Sequence, residues 1–157
     1  MATIQFTVTH RFEAPPRLVW DEMLDWEGHG RWIPATRVDV DPGDPRAVGA
    51  TFTGYTGVGP AMLVDRMRIA ELEWDEAATT GRCVVDKLGP VLDGTAGFTI
   101  APDGTGATLD WFEDVEISWL PGPAAPVVSR LSAMGFSFGM KRLASVIADQ
   151  PREQTID

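Results

Sequence analysis

Glu113 is the side chain in this sequence that is best suited to chemistry. Residues 108–118 alternate in polarity, and one face of this predicted strand carries Leu109, Trp111, Glu113, Val115 and Ile117. A carboxyl group in such an apolar row is desolvated, which disfavours its charged form and raises its pKa. The pattern therefore indicates a group for general acid–base work or for holding a ligand hydroxyl. The alternative is that the strand twists or bulges there and that Glu113 reaches solvent or an arginine.

His10 is a second candidate for acid–base chemistry. It lies on the apolar face of the first predicted strand, residues 3–12, where a histidine is also commonly a core residue with a satisfied hydrogen bond. We expect His29, which stands between two glycines, to be an exposed loop residue. The two histidines have no partner motif, so the sequence predicts no metal site. Cys83 has no identifiable His and Asp partner and is expected to be a small buried hydrophobe.

The bulk composition bounds the class of protein. A chain of 157 residues predicts one domain, which we place at residues 1–150 with a short tail at 151–157. A net charge of −10 argues against a nucleic-acid partner, because a phosphate backbone would be repelled. No stretch approaches the roughly 20 continuous apolar residues of a membrane span, and the N-terminus lacks a signal-peptide pattern. A single cysteine excludes an intrachain disulfide, so we expect a cytoplasmic protein.

A long apolar helix is predicted near the end of the chain. Within residues 124–148 the only proline is Pro126, which sits in the first turn, where a missing N–H costs nothing. At 100° per residue the apolar side chains fill three adjacent stripes of the helix, the first of which carries Val127, Leu131, Met134 and Phe138. An arc this wide predicts a helix that is covered on most of its circumference.

Two glycines interrupt the apolar arc of this helix. Gly135 and Gly139 are four residues apart and therefore lie one above the other. Each costs about 1 kcal/mol of helix propensity relative to alanine. Either they let a strand or another helix approach closely, or their missing side chains leave space for a ligand. The residues alone leave both alternatives open.

The segments before the long helix predict strands and two short helices. After the first strand, Pro16 can begin a helix over residues 17–24, and a second short helical piece covers 27–32. About six consecutive antiparallel strands follow up to residue 118, and the one over 61–74 changes its apolar parity, which indicates a bulge. This order predicts an α+β domain in which a sheet curls around the long helix.

Four segments suggest a known family. They are residues 14–20 after the opening strand, 32–34, the strand 98–102 with its Gly-Thr-Gly turn, and 108–111. In these segments and in its order of elements, the chain resembles the START-like, or SRPBCC, superfamily, and within it the polyketide cyclase/dehydrase family. The resemblance implies the helix-grip fold, a curved antiparallel sheet of about seven strands around a long C-terminal helix, with an apolar cavity between them. Its motifs are structural, so they say little about chemistry.

The resemblance also implies a function. Members of the superfamily bind lipids, polyketides, hormones or other hydrophobic molecules, and some catalyse cyclisation or dehydration. We therefore expect this chain to bind or carry a hydrophobic small molecule such as a lipid, a polyketide or an aromatic metabolite. The alternatives are a cyclase/dehydrase-type enzyme that uses Glu113 or His10, and a protein-interaction module with a vestigial pocket. We expect no cofactor, and the sequence leaves the ligand and the oligomeric state open.

The expected cavity combines sheet and helix residues. In this fold we favour the space-making role for the two glycines of the helix, with Leu131, Met134 and Phe138 around the opening. The full expected lining is Trp32, Phe52, Tyr55, Phe98, Ile100, Leu109, Trp111, Val115, Leu131, Met134, Gly135, Phe138 and Gly139.

Overall fold

A curved antiparallel sheet and one long helix form the body of the protein. The structure is a computed structural model that describes residues 2–150. The seven strands are β1 Ala2–Phe12, β2 Thr36–Val40, β3 Thr51–Thr56, β4 Leu63–Asp75, β5 Thr80–Leu88, β6 Leu92–Asp103 and β7 Gly106–Ile117. The helices are α1 Pro16–Leu24 and α2 Ala125–Ala148, with 3-10 turns at Glu27–Arg31, Gly59–Ala61 and Gly122–Ala124. The predicted tail at 151–157 lies outside the described residues.

The sheet order places the first strand beside the last strand. The strands follow the order β1-β7-β6-β5-β4-β3-β2, and every neighbouring pair is antiparallel. Six strands form a consecutive meander, and β1 adds to its far edge beside β7. The register places Glu113 directly between Phe6 on β1 and Ala96 on β6. The predicted helix-grip fold, with two short helices after the first strand, is confirmed.

A bulge in β4 changes which side chains face the helix. The pairing of β4 with β5 shifts between Ile69 and Glu71, as the change of apolar parity in the sequence predicted. Before the shift Ile69 is buried on the inner face, and after it Leu72 and Trp74 pack against the core. The extra residue bends the strand, which helps the sheet to curl around α2.

The two halves of α2 have different environments. In the C-terminal half, Met140, Leu143 and Ile147 are buried against the sheet. Along residues 127–138, by contrast, four apolar side chains are 54% to 67% exposed: Val127, Leu131, Met134 and Phe138. The expectation of a helix covered on most of its circumference is therefore wrong for this stretch. There Val128 packs with Ile4 and Val115, and the stripe on the other side has no described residue over it.

His29 is buried, which corrects the expectation of an exposed loop residue. Its Nε2 lies 2.8 Å from the carbonyl oxygen of Met23, and its ring stands between those of Trp26 and Trp32, with centroids 5.3 and 4.9 Å away. Burial lowers the pKa of His29 to about 4, so the ring is neutral at neutral pH. The neighbouring glycine serves close packing, since a Cβ on Gly30 would lie 2.6 Å from a backbone oxygen.

Within residues 2–150, no helix has both the length and the apolar character that crossing a membrane requires.

The contrast between the two halves of α2 predicts different costs of truncation. Leu143→Ala removes a fully buried side chain and should lower the free energy of unfolding by about 2–5 kcal/mol. Leu131→Ala, on the exposed stripe of the same helix, should change it by about 0.5 kcal/mol or less. Urea denaturation of both variants measures the difference. Equal losses would contradict the described orientation of α2.

Candidate functional site

A large cavity lies between the inner face of the sheet and α2. Its volume is about 470 Å³. Most of its lining is apolar or aromatic, with a few polar side chains. The sheet and the segments around α1 contribute Ile4, Trp26, His29, Trp32, Ile33, Pro34, Thr36, Val38, Phe52, Gly54, Thr56, Leu63, Asp65, Met67, Cys83, Val85, Lys87, Leu92, Gly97, Phe98, Trp111, Glu113, Val115 and Ile117, and α2 contributes Ser132, Gly135, Phe136, Phe138 and Gly139.

The two glycines of α2 have different roles. A Cβ on Gly135 would have no heavy atom within 4 Å, so this position leaves open space beside the helix. A Cβ on Gly139 would instead lie 3.3 Å from the ring of Trp32, so this glycine lets α2 approach the indole closely. Each of the two alternatives drawn from the sequence thus describes one of the glycines. The cavity opens over the single turn that separates them.

The opening of the cavity is marked by lining residues that are also exposed to solvent. They are Pro34 after the 3-10 turn, Thr56 at the end of β3, and Gly135 and Phe138 on α2. The opening therefore lies between the N-terminal half of α2 and the edge of the sheet formed by β2 and β3. A ligand would pass the flat surface at Gly135, where no side chain narrows the path.

Three charged side chains form a polar cluster on the inner face of the sheet: Asp65 on β4, Lys87 on β5 and Glu113 on β7. Lys87 is only 6% exposed, and its Nζ donates to Asp65 Oδ2 in an ion pair. Strand β6, between Lys87 and Glu113, offers only small residues at the paired positions, Gly94 and Ala96. The long side chains of the cluster therefore have room above β6.

The protonation of this cluster follows from its burial. Desolvation raises the pKa of Glu113, and the nearby Asp65 adds to the rise, while Lys87 and the Trp111 side chain oppose it. Desolvation acts to lower the pKa of Lys87, but Glu113 and Asp65 more than reverse that effect, and the net shift is upward. Lys87 thus stays cationic, and Glu113 keeps its proton to a higher pH than an ordinary carboxyl group. In that form it both donates and accepts hydrogen bonds.

Two indole N–H groups of the lining lack hydrogen-bond partners. The Nε1 atoms of Trp32 and Trp111 are buried without a partner, and so is Asp65 Oδ1, the oxygen that does not face Lys87. Trp111 lies close enough to Glu113 to affect its pKa, yet its N–H makes no well-aligned hydrogen bond with the carboxyl group. Unsatisfied buried groups cost stability, so these atoms are candidate contacts for a ligand.

The structure brings most of the expected lining residues together. The following line the cavity, with Glu113 among them: Trp32, Phe52, Phe98, Trp111, Val115, Gly135, Phe138 and Gly139. The twist or bulge that would carry Glu113 to solvent is not observed, because β7 pairs without interruption on both sides.

Three expected sheet residues lie outside the cavity lining. Tyr55 follows Gly54 on β3 and so points to the opposite face, where it stacks under the Arg37 guanidinium at 4.5 Å. Ile100 and Leu109 are paired across β6 and β7 and do face inward, but they lie in the packed core. Alternation along a strand identifies the face, and it does not say how far along the strand the cavity reaches.

Two expected helix residues and one expected acid–base residue also lie outside the cavity lining. Leu131 and Met134 belong to the exposed stripe of α2 and do not line the cavity. His10 is half-buried against Phe12, with ring centroids 4.7 Å apart, outside the cavity lining. Burial lowers its pKa, and Lys141 of α2 lowers it further. His10, the alternative to Glu113 as the acid–base residue, therefore lies apart from the cavity that Glu113 faces.

Asp65 and Lys87 are functional candidates that the sequence reasoning missed. Both follow the signal that pointed to Glu113, a charged residue in an apolar alternation. Lys87 continues the row of Cys83 and Val85, and Asp65 stands between Leu63 and Met67. The bulge in β4 obscured the second pattern. Cys83 is buried as expected, and burial raises the pKa of its thiol to about 12.

Among residues 2–150, no group of three or more His, Cys, Asp or Glu side chains is arranged to hold a metal ion.

The ion pair of the cluster should be essential for stability. Lys87→Met leaves two buried carboxyl groups without their cation and should lower the free energy of unfolding by about 3–5 kcal/mol. The loss should grow as the pH rises, because the folded variant disfavours ionised carboxylates that the unfolded chain accommodates. Denaturant unfolding between mildly acidic and mildly alkaline pH measures this dependence.

A surface ion pair provides the matched control. Arg68→Met breaks an exposed pair with Asp86 and should cost about 1 kcal/mol or less. The double variant Lys87→Met with Asp65→Asn should recover part of the loss. A Lys87→Met variant that is no less stable than Arg68→Met at any pH would contradict the described cluster.

Comparison with known proteins agrees with this architecture. The sequence profile of the family described as polyketide cyclase / dehydrase and lipid transport matches residues 3–148, and no curated protein matches significantly. The structure is similar to Zhui aromatase/cyclase from Streptomyces sp. R1128, with 14% identity, 98% of each chain covered and a TM-score of 0.68. It is also similar to a START superfamily protein from Mycobacterium smegmatis, with 17% identity, 92% of this chain and 97% of that chain covered and a TM-score of 0.68. These likenesses show the fold alone, whereas the profile shows the family: the chain belongs to the polyketide cyclase/dehydrase and lipid-transport family.

Proposed function

We propose that this protein binds and carries a hydrophobic small molecule in the cavity between its sheet and α2. The observation that carries the proposal is the cavity itself, about 470 Å³ in volume and lined mainly by apolar side chains. Small-molecule sites commonly have volumes of roughly 300–1,000 Å³, with a few polar groups that fix orientation. A lipid, a polyketide or an aromatic metabolite fits this description, and the family description points the same way.

The net charge and the cysteine content bear on the partner and on the cellular compartment of this protein. The net charge of −10 disfavours a nucleic-acid partner, so we propose a small molecule as the partner. The sole cysteine, Cys83, is buried and unpaired. This free thiol is compatible with a reducing compartment and supports a cytoplasmic location.

A substitution that fills the opening of the cavity should weaken ligand binding without lowering the stability of the fold. Gly135→Leu places a side chain in open space at the opening and should weaken binding of the neutral probe N-phenyl-1-naphthylamine about tenfold. The probe's fluorescence rises in an apolar site, so a titration measures its affinity. Stability should not fall, because leucine is a better helix former than glycine.

Two variants serve as controls for this titration. Gly135→Ala should bind the probe as the original protein does and gain about 1 kcal/mol of stability. Gly139→Leu should destabilise the fold instead, because its side chain would meet Trp32. If the unaltered protein fails to bind the probe, or if Gly135→Leu binds it equally well, carriage in this cavity is ruled out.

A cyclase/dehydrase-type reaction is a second candidate, and Glu113 is the observation that favours it. Its carboxyl group faces the cavity, and its raised pKa suits a general acid or base at neutral pH. Such chemistry begins with proton transfer at a carbon next to a carbonyl group. The ionised form of Glu113 would take this proton and leave an enolate, and the protonated Glu113, after exchange with solvent, would return a proton to the same carbon.

Isotope exchange tests this second candidate. The protein should accelerate exchange of the protons next to the carbonyl of 1-tetralone for deuterium in heavy water, measured by NMR. Glu113→Gln, which cannot take up the proton, should reduce the exchange to the buffer rate, whereas His10→Gln should leave it unchanged. Exchange that is never faster than in buffer would exclude acid–base catalysis on this ketone.

A further inference from the structure

The titratable side chains of the cavity lining come from four separate elements: His29 from the 3-10 turn, Asp65 from β4, Cys83 and Lys87 from β5, and Glu113 from β7. Each protonation state determines what kind of ligand the cavity accepts. His29 is engaged with the carbonyl oxygen of Met23 and is neutral. Cys83 is a buried neutral thiol. These two residues therefore offer no charge to a ligand.

The positive charge of Lys87, which lines the cavity, is already neutralised. Lys87 is the cationic side chain of the lining, and its charge is matched by the ion pair with Asp65. Lys87 Nζ also donates a hydrogen bond to the sulfur atom of Met67, 3.6 Å away. A ligand carboxylate that entered the cavity would therefore find no unmatched positive charge, and it would lie near Asp65 and Glu113. Burying such a charge without a partner is strongly unfavourable.

Glu113 is a polar group that a ligand can reach, and the unpartnered Trp111 N–H is buried beside it. Glu113 keeps part of its surface accessible, although it is desolvated, because that surface faces the cavity. Trp111 is held in place by aromatic neighbours on both sides. Its ring stacks on Phe136 at 4.9 Å between centroids and on Phe98 at 6.1 Å. The indole therefore cannot turn to find another partner for its N–H, which stays directed near the Glu113 carboxyl.

We propose that Glu113, beside the buried Trp111 N–H, anchors an uncharged oxygen-bearing ligand, a hydroxyl or ketone compound, and that the cavity rejects the corresponding carboxylate. This inference rests on the binding function proposed above and gives that function its chemical selectivity. A ketone oxygen accepts a hydrogen bond from the protonated form of Glu113, and a hydroxyl group can also donate to the carboxyl group. The apolar remainder of the ligand lies against the aromatic side chains that hold Trp111.

Three naphthalene probes of equal ring size test the selectivity. Naphthalene has no polar group, 2-naphthol carries a neutral hydroxyl group at neutral pH, and 2-naphthoic acid is ionised there. Their affinities are measured by displacement of N-phenyl-1-naphthylamine. We expect 2-naphthol to bind roughly tenfold more tightly than naphthalene, and 2-naphthoate to bind more weakly than either. Equal affinities for naphthalene and 2-naphthol, or a tighter-binding naphthoate, would overturn the proposal.

Variants of the polar cluster identify the side chains that cause the preference for 2-naphthol. Glu113→Leu should reduce the preference for 2-naphthol over naphthalene to about twofold while still binding naphthalene. Glu116→Leu, an exposed position on the same strand, is the matched control and should keep the preference. A full preference in Glu113→Leu would remove Glu113 from the site.

The double variant Asp65→Asn with Glu113→Gln should reverse the charge selectivity. It leaves Lys87 as an unmatched cation in the cavity, so 2-naphthoate should bind roughly tenfold more tightly than in the original protein. Simple damage to the fold would weaken all three probes and cannot produce this gain. If the original protein binds naphthalene without the expected selectivity, the anchor fails and the cavity function stands; if it binds no probe, both fail.

Discussion

The cavity depends on the uneven packing of α2 against the sheet. Met140 and Leu143 are completely buried against the sheet, and Gly139 allows the helix to approach Trp32. One turn earlier, a Cβ on Gly135 would have no heavy atom within 4 Å, although Phe136 and Val128 on neighbouring positions still pack on the sheet. The helix therefore borders the cavity along the face that carries Gly135. A further apolar stripe of the helix is exposed to solvent.

The sheet places a charged cluster within this apolar space, and the cluster is tolerated because its charges are balanced. Lys87 and Asp65 neutralise each other, and burial favours the neutral form of Glu113. The small residues Gly94 and Ala96 on β6 leave room for these side chains. A cavity that is otherwise apolar thereby gains a polar region that includes a carboxyl group whose pKa burial raises. Family membership accounts for the fold and the cavity, while these few residues determine its chemistry.

The family resemblance indicated the helix-grip fold, and the sequence by itself determined the secondary structure and the apolar strand face on which Glu113 lies. These follow from local periodicity, since alternation in a strand places every second side chain on one face. The same rule would have identified Lys87, and it would have identified Asp65 had the bulge in β4 not hidden the pattern. Periodicity shows which residues share a face, and it contains no information about what lies opposite that face.

Tertiary structure decided which residues line the cavity, because this depends on what packs opposite each face of a strand or helix. Leu131 and Phe138 belong to the same predicted stripe, yet only Phe138 lines the cavity. Gly135 and Gly139 are equivalent in the sequence, and their roles differ because Trp32 stands in front of only one of them. His29 is enclosed by Trp26 and Trp32, which the 3-10 turn brings to its side at a spacing of three residues, and only the structure shows that Met23 supplies its hydrogen-bond partner. The ion pair of Lys87 with Asp65 likewise joins residues 22 positions apart, which only the strand register brings together.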